Sequence, residues 1–561
     1  MRFILSLFLS ATLFVNAQNN YPQDYFSSPL EVPLILAGNF GELRSNHFHS
    51  GLDIKTQQRE GLRVIAPANG FVSRIKVAHF GYGKALYITH PNGYTTVYGH
   101  LQSFSPEIEA FIKQKQYEQE SYEVEVFPAA DLLPITKGNL IAYTGNSGGS
   151  GGPHLHFEIR DKEERPMNPM LFGLDIKDTT KPVVSALFAF PLDENASINK
   201  TNTNQKLRLI PLKNGDYNAE PVEAFGNIGF GIETTDRQDL AANANGVYNI
   251  QTFFNGSQNF EVDFSVFSFD ESSCLNQYID YEHYVTKRQR IQKLFKKNNP
   301  LSMLKPIIND GVLNIADSIS SIYKIRVSDF KNNETFVSIN IKGRKPTNTK
   351  PQTPKTTPYY ITASQHTSLK SGNIAVDFYP ETFYENFYMD FNVRNDTLTL
   401  HKDVVPTRKN FTISYDISNY KDADRDKLFI ARLVGFKNYP VYSSTKRNGS
   451  VLSTSTKTLG TYALATDTVA PTISPLNFKD GQWLSNFRFL KIKIDDALSG
   501  ISNYRATING KWILMEYDYK TNTLTYDFND NTAIETKNNL KVIVTDNVGN
   551  SATFEALFYR K

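Results

Sequence analysis

Between about residues 21 and 175, apolar and polar positions alternate over short stretches. Val64-Ile65-Ala66-Pro67, Gly70-Phe71-Val72, Ala85-Leu86-Tyr87-Ile88 and Thr95-Thr96-Val97-Tyr98 are each bounded by Gly, Pro or Asn. A period of two between turn residues predicts half-buried strands, and Pro91-Asn92-Gly93 predicts a hairpin turn between two of them. One stretch breaks the pattern. From Pro106 to Glu120, Ile108, Phe111, Ile112 and Lys115 recur at near-helical spacing, which predicts a helical insertion over 105–121.

The rest of the chain is organised by an internal repeat. Asp178-Thr-Thr-Lys-Pro182-Val-Val is echoed by Asp467-Thr-Val-Ala-Pro471-Thr-Ile, and the strand that closes on Ser328-Asp329 is echoed by the one that closes on Thr545-Asp546. Alternating strands with such closing turns predict antiparallel, Ig-like β-sandwiches at 176–343 and 467–561. The first copy is longer. Tyr284, Arg288, Ile291, Leu294 and Phe295 predict a basic amphipathic helix in an insertion over 281–304. A Pro-, Thr- and Lys-rich linker occupies 344–358, and short strands such as Phe411–Tyr415 and Leu428–Arg432 predict a further β-sandwich at 359–466. The fold class is therefore mainly β: a small antiparallel β-sheet domain followed by three sandwich modules.

The N-terminus changes the picture of where the chain works. A basic start, an apolar run from Ile4 to Val15 and the small residue Ala17 predict a signal peptide at 1–17. No later run reaches the roughly 20 apolar residues of a membrane span, so an exported protein is expected, periplasmic, envelope-associated or secreted. The formal net charge of +3 over 561 residues leaves no electrostatic footprint for nucleic acid. Cys274 is the only cysteine, so no intramolecular disulfide can form, and a buried thiol is expected.

Histidine is unevenly placed: seven of the ten (47, 49, 79, 90, 100, 154 and 156) fall in the first 156 residues. In His49-Ser-Gly-Leu-Asp53, the glycine is expected to let the backbone turn so that both ends reach one ion. His154-Leu155-His156 precedes a strand-like Phe157-Glu158-Ile159, and alternate strand residues share a face, so both imidazoles enter one pocket. One can bind a metal while the other stands beside a water as base. His100 follows a strand and supplies a further imidazole, to stabilise an oxyanion or to shuttle a proton. Glu158 and Asp161 are expected to be exposed, and His47, His79 and His90 to pack or hydrogen-bond without a role in chemistry. Gly145 to Pro153 is a glycine-rich run without the Gly-Lys-Ser/Thr of a phosphate loop.

His-x-Gly-x-Asp, the Tyr98-Gly-His100-Leu101 block and Gly-Pro-His-Leu-His-Phe-Glu, in this order, resemble the lysostaphin-type (LytM-type) zinc metallopeptidases over residues 40–172. The resemblance implies that 18–175 is a zinc metallopeptidase domain, with Zn2+ held by His49, Asp53 and His156, and with His154 and His100 as the catalytic pair. It also implies peptide cross-links of bacterial peptidoglycan as substrate, with stem peptides as the partner. The sandwich modules would bind cell wall or a protein partner. Two other readings fit the same residues: a non-enzymatic wall- or partner-binding protein with a structural metal site, or a peptidase of secreted proteins.

Overall fold

A computed structural model describes residues 21–347, 355–421, 425–533 and 535–561. The signal peptide expected at 1–17 and the middle of the 344–358 linker lie outside the described residues.

The N-terminal part contains β1 (Leu36–Gly38), β2 (Leu52–Lys55), β3 (Arg63–Ile65), β4 (Gly70–Val77), β5 (Lys84–Thr89), β6 (Thr95–Gly99) and β7 (Leu101–Phe104). After them come α1 (Pro106–Gln119), β8 (Val124–Val126), β9 (Pro134–Ile135), β10 (Leu140–Thr144) and β11 (His154–Arg160). The main sheet runs β1-β2-β11-β6-β5-β4-β8, and β3-β10-β7 form a second, three-stranded sheet. All pairings here are antiparallel. The last strand in sequence, β11, thus lies in the middle of the main sheet, between β2 and β6. That position lets residues about 50 and 100 positions apart in sequence face one another.

Pro at the first turn, with Glu107 and Glu109 beside it, starts α1. Pro tolerates this position and acidic side chains favour the positive helix end. Ile108, Ile112 and Gln116 form its buried face.

The segment 176–343 forms a large β assembly around the long strand Val222–Thr235 and the hairpin Ser320–Ser328/Glu334–Gly343. Its apolar core is continuous with that of the N-terminal sheet. Phe40 and Phe48 stack against Phe267 at 5.2 and 5.6 Å, and Asn168 N–H donates to the Ser265 carbonyl at 2.8 Å. The helix expected over 281–304 is confined to Tyr281–Lys287. Arg288 turns left-handed at φ 61°, and Gln292–Lys293 then pair as a strand with Ile232 and Gly231. Ile291, Leu294 and Phe295 are buried there, so their spacing reflects packing beside a sheet.

Residues 359–466 contain two five-stranded sheets over a separate core, and 467–561 a four- and a five-stranded sheet over another. The two repeat copies match in detail. Asp329 accepts from Asn333 N at 2.9 Å and Asn333 Nδ2 at 2.6 Å; Asp546 accepts from Asn550 N at 2.8 Å and Asn550 Nδ2 at 2.7 Å. The same asparagines donate to the carbonyls of Asp178 and Asp467. In each copy, therefore, one Asp-Asn turn ties the closing hairpin to the first residue of the repeat. Among the described residues no helix is long and apolar enough to cross a membrane.

Candidate metal centre and groove

Register builds the centre. In the β11–β2 pair, His156 is directly opposite Asp53; on its other side, His156 is opposite Gly99, the residue before His100. His49 approaches from the loop that leads into β2. Its Nε2 lies 2.9 Å from Asp53 Oδ1 and 3.1 Å from His156 Nδ1, and the latter two atoms are 2.9 Å apart. Donors of one tetrahedral zinc shell, with bonds of about 2.0–2.1 Å, stand roughly 3.3 Å from each other. Two nitrogens and one oxygen at these separations fit such an ion, and all three residues are buried.

Each imidazole has one nitrogen committed, which leaves the other for the pocket. His49 Nδ1 donates to the Asn39 carbonyl at 2.7 Å. His156 Nε2 donates to Glu158 Oε1 at 2.8 Å. His154 Nδ1 donates to the Gly152 carbonyl and His100 Nδ1 to the Ser147 carbonyl, both at 2.8 Å. A carbonyl only accepts, so it fixes the tautomer of the ring that bonds it. The rings of His100 and His154 are 4.8 Å apart, and His154 Nε2 is 3.4 Å from Asp53 Oδ1. His100 holds a left-handed backbone at φ 58°, a conformation that costs energy for a non-glycine residue and recurs at functional sites.

Glu158, expected to be exposed, is fully buried under the centre. It continues the alternation of His154 and His156 onto the same face. Its Oε1 accepts from His156, from Ser50 Oγ at 2.6 Å and from the Tyr82 hydroxyl, while Oε2 accepts from Arg160 Nε at 2.7 Å. Burial alone would raise its carboxyl, but Arg160 and the His156 hydrogen bond hold it far below the usual range. Tyr82 stacks on His156 with centroids 4.9 Å apart, and burial together with Glu158 keeps its hydroxyl protonated. Sequence reasoning missed Tyr82, which sits between Gly81 and Gly83; the period-two argument used for the histidines would have found Glu158. Asp161 is also buried, and Arg165 pairs with it at 2.7 Å.

Gly51 is needed for close approach. A Cβ there would stand 2.3 Å from the Phe157 carbonyl, so the strands that carry Asp53 and His156 could not pair as they do. The backbone also bends at Gly51, directly before β2.

Burial works against the charge on Asp53, yet His49 and hydrogen bonds from His154 and His156 hold it well below the usual carboxylate range. Burial, then the charges of His156 and His154, push His100 down to about 3. It is neutral at physiological pH, with Nε2 as an acceptor. His90 is buried and bonded to Asn69 and Thr96, His79 stacks on Tyr122, and His47 lines the groove.

A groove of about 940 Å³ opens over these residues. Glu42 to Asp53 and the glycine-rich segment Gly149-Ser150-Gly151 line it, and so do Phe269, Ser272 and Arg290 from the 176–343 assembly. None of residues 21–41 lines it. The glycine-rich segment is anchored: Gly149 N–H donates to the Gly81 carbonyl at 2.7 Å. From the far C-terminal sandwich, Tyr519 OH donates to the Gly148 carbonyl at 3.3 Å, and Lys520 Nζ reaches the carbonyls of Ser150, at 3.1 Å, and Asn146. Lys113 of α1 pairs with Asp530 at 2.6 Å.

Residues 47–117, which include His49, Asp53 and His100, match peptidase family M23. The chain carries an M23 peptidase domain. Relatives of this domain include the DD-carboxypeptidase/endopeptidase Mpg of Neisseria meningitidis serogroup B, 31% identical over 147 residues, which is 26% of this chain and 28% of that protein. An uncharacterized metalloprotease of Haemophilus influenzae is 33% identical over 126 residues, 22% of this chain and 21% of its own length. The chain thus spans under a third of the length of these relatives. Among solved structures, the catalytic domain of lysostaphin from Staphylococcus simulans is 20% identical over 25% of this chain and 91% of that one, with a TM-score of 0.19. Outside the M23 domain, residues 358–467 match the Zu5-like domain.

Proposed function

We propose that the chain is a zinc-dependent endopeptidase that hydrolyses peptide cross-links of bacterial peptidoglycan in the cell envelope. The observation that carries this reading is the convergence of His49 Nε2, Asp53 Oδ1 and His156 Nδ1 beside the two further imidazoles of His100 and His154. His49, Asp53 and His156 would hold the ion; when bound, it supplies a Lewis acid and lowers the pKa of a coordinated water to about 7.

His154 takes the proton of the attacking water at Nε2, because the Gly152 carbonyl occupies its Nδ1 proton. His100 has the same arrangement through Ser147, so its neutral form also accepts at Nε2. Of the two roles open to it, that favours proton shuttling and water orientation, and a hydrogen bond to an oxyanion follows only once Nε2 is protonated. Glu158 keeps the His156 ring oriented, and Tyr82 and Ser50 keep Glu158 in place. The open, partly polar groove suits an extended peptide. The name of the Neisseria relative joins carboxypeptidase and endopeptidase activities, and supports a wall-peptide substrate here.

Mass-spectrometric analysis of muropeptides from purified sacculi, incubated with the zinc-loaded protein with and without a chelator, tests the proposal. Loss of cross-linked dimers with gain of monomers, abolished by chelation, is expected. Unchanged dimers with zinc-loaded protein would refute the peptidoglycan assignment.

A further inference from the structure

A second group of oxygen donors lies about the junction of the M23 domain and the first sandwich. Asp178 follows the end of the M23 domain, Asp236 ends the long strand Val222–Thr235, and Asp329 opens the Asp-Asn turn. Carboxylate oxygens of the three lie within 4.8 Å of one another. Two of these carboxylates are anchored: Asp178 accepts from Thr180 N at 3.0 Å and Asp329 from Asn333. Asp236 is only 6% exposed, and its Oδ1 has no hydrogen-bond partner. A buried, unpartnered carboxylate oxygen facing two others carries a large desolvation cost.

The C-terminal repeat offers an internal comparison. It brings Asp467, Asp496 and Asp546 together in the same way. There the middle carboxylate is satisfied: Asp496 Oδ2 accepts from Gly500 N at 2.6 Å and from Leu498 N at 3.2 Å. In the first copy the Asp236 carboxylate has a backbone hydrogen bond from Arg237 only, and its Oδ1 is left without a partner. A cavity of about 20 Å³ adjoins Asp178 and Asp236, enough for a water-sized occupant. Lys331 is the one cationic side chain on its wall.

We infer that Asp178, Asp236 and Asp329 form a calcium site that joins the M23 domain to the first sandwich. Oxygen donors without nitrogen or sulfur select a hard cation. Calcium accepts carboxylates in flexible geometry, whereas magnesium demands a near-ideal octahedron and keeps several of its waters, for which a cavity of about 20 Å³ leaves no room. Without a cation, burial and the charges of Asp178 and Asp329 raise Asp236 to about 7, in keeping with a missing positive charge.

The position gives such an ion a structural consequence. Asp236 and Asn245 close a loop by two backbone hydrogen bonds of 2.9 and 2.7 Å. The next residue, Gly246, exchanges hydrogen bonds of 2.7 and 2.9 Å with the side chain of Asn39. The Asn39 carbonyl, in turn, holds His49 Nδ1. Calcium would thus brace the loop that fixes the partner of the first zinc ligand.

The test is calorimetric titration of the zinc-loaded, full-length mature protein with calcium chloride in metal-depleted buffer, with magnesium chloride as a separate arm. Wild type and Asp236→Asn are compared, and thermal melts are recorded alongside. Expected is one calcium equivalent fewer in Asp236→Asn at unchanged zinc content, together with loss of a calcium-dependent rise of several degrees in Tm. Asp496→Asn should retain that equivalent. Wild type without calcium binding, a variant with unaltered stoichiometry, or a site filled by magnesium alone would each overturn the inference. If circular dichroism shows that Asp236→Asn does not fold, Asp178→Asn is judged by the same criterion. Binding is read without turnover, so the result stands apart from the peptidase proposal.

Discussion

His156 stands directly opposite Asp53 across the β11–β2 pair, and their facing atoms are 2.9 Å apart. Strand register sets this pairing, and a slip by one residue would turn one of the two side chains to the opposite face. His49→Ala, Asp53→Ala and His156→Ala are therefore expected to lose both bound zinc and cleavage. His154→Ala should keep zinc and lose turnover by about 10²–10⁴-fold, the usual share of a positioned general base. Metal content by mass spectrometry, measured with muropeptide release, separates the two classes; loss of zinc in His154→Ala would contradict its role as base.

Glu158 accepts from His156, Ser50, Tyr82 and Arg160 with no exposure to solvent. Removing one partner of a buried ion pair costs about 3–5 kcal/mol, so Glu158→Ala should lower stability by that order. Glu158→Gln keeps the shape and should weaken zinc affinity about 10–100-fold, as changes behind a metal ligand do. Thermal melts and competition with a chromogenic chelator are the respective measurements.

Zinc binding should strengthen with pH. In the metal-free protein burial opposes charge on His156, but hydrogen bonds to Asp53 and Glu158 prevail and raise it to about 9 from 6.5. A folded-state value above the unfolded one contributes stability that is full below about 6.5 and lost as pH rises through 9. The same proton must leave before the ring can bind zinc. Metal-free protein should melt at lower temperature as pH goes from 6.5 to 9, while apparent zinc affinity climbs over that range. A flat affinity profile would contradict this.

The C-terminal hairpin should matter to turnover more than to metal. Tyr519 and Lys520 hold the carbonyls of Gly148, Ser150 and Asn146, in the loop whose Ser147 and Gly152 carbonyls orient His100 and His154. A misplacement of about 1 Å can cost on the order of 10²-fold in rate. The double variant Tyr519→Ala/Lys520→Ala is expected to cut the cleavage rate about 10–100-fold at unchanged zinc occupancy, read by parallel kinetics and metal analysis.

The five residues His49, Asp53, His100, His154 and His156 were legible because each sits in a short local motif, and the structure brings them into one pocket. Glu158 was legible too, through the same alternation, but its charge suggested solvent. Only the structure shows that Arg160, Tyr82 and Ser50 compensate that charge. The helix expected over 281–304 failed because Leu294 and Phe295 lie three and four residues after Ile291 while all three pack beside a sheet, and local spacing does not distinguish the two. Phe269 and Arg290 were invisible as groove residues, since more than 100 positions separate them from β11 and nothing local marks the contact.

Phe40 and Phe48, just before His49, pack on Phe264 and Phe267 of the neighbouring sandwich. A shared interior of this kind ties the two units into a single cooperative melting event. The N-terminal domain is consequently not an interchangeable cassette: cut near residue 175, it would present a sticky aromatic face and aggregate, and a cut after the linker would spare that face but release the loop that Tyr519 and Lys520 hold.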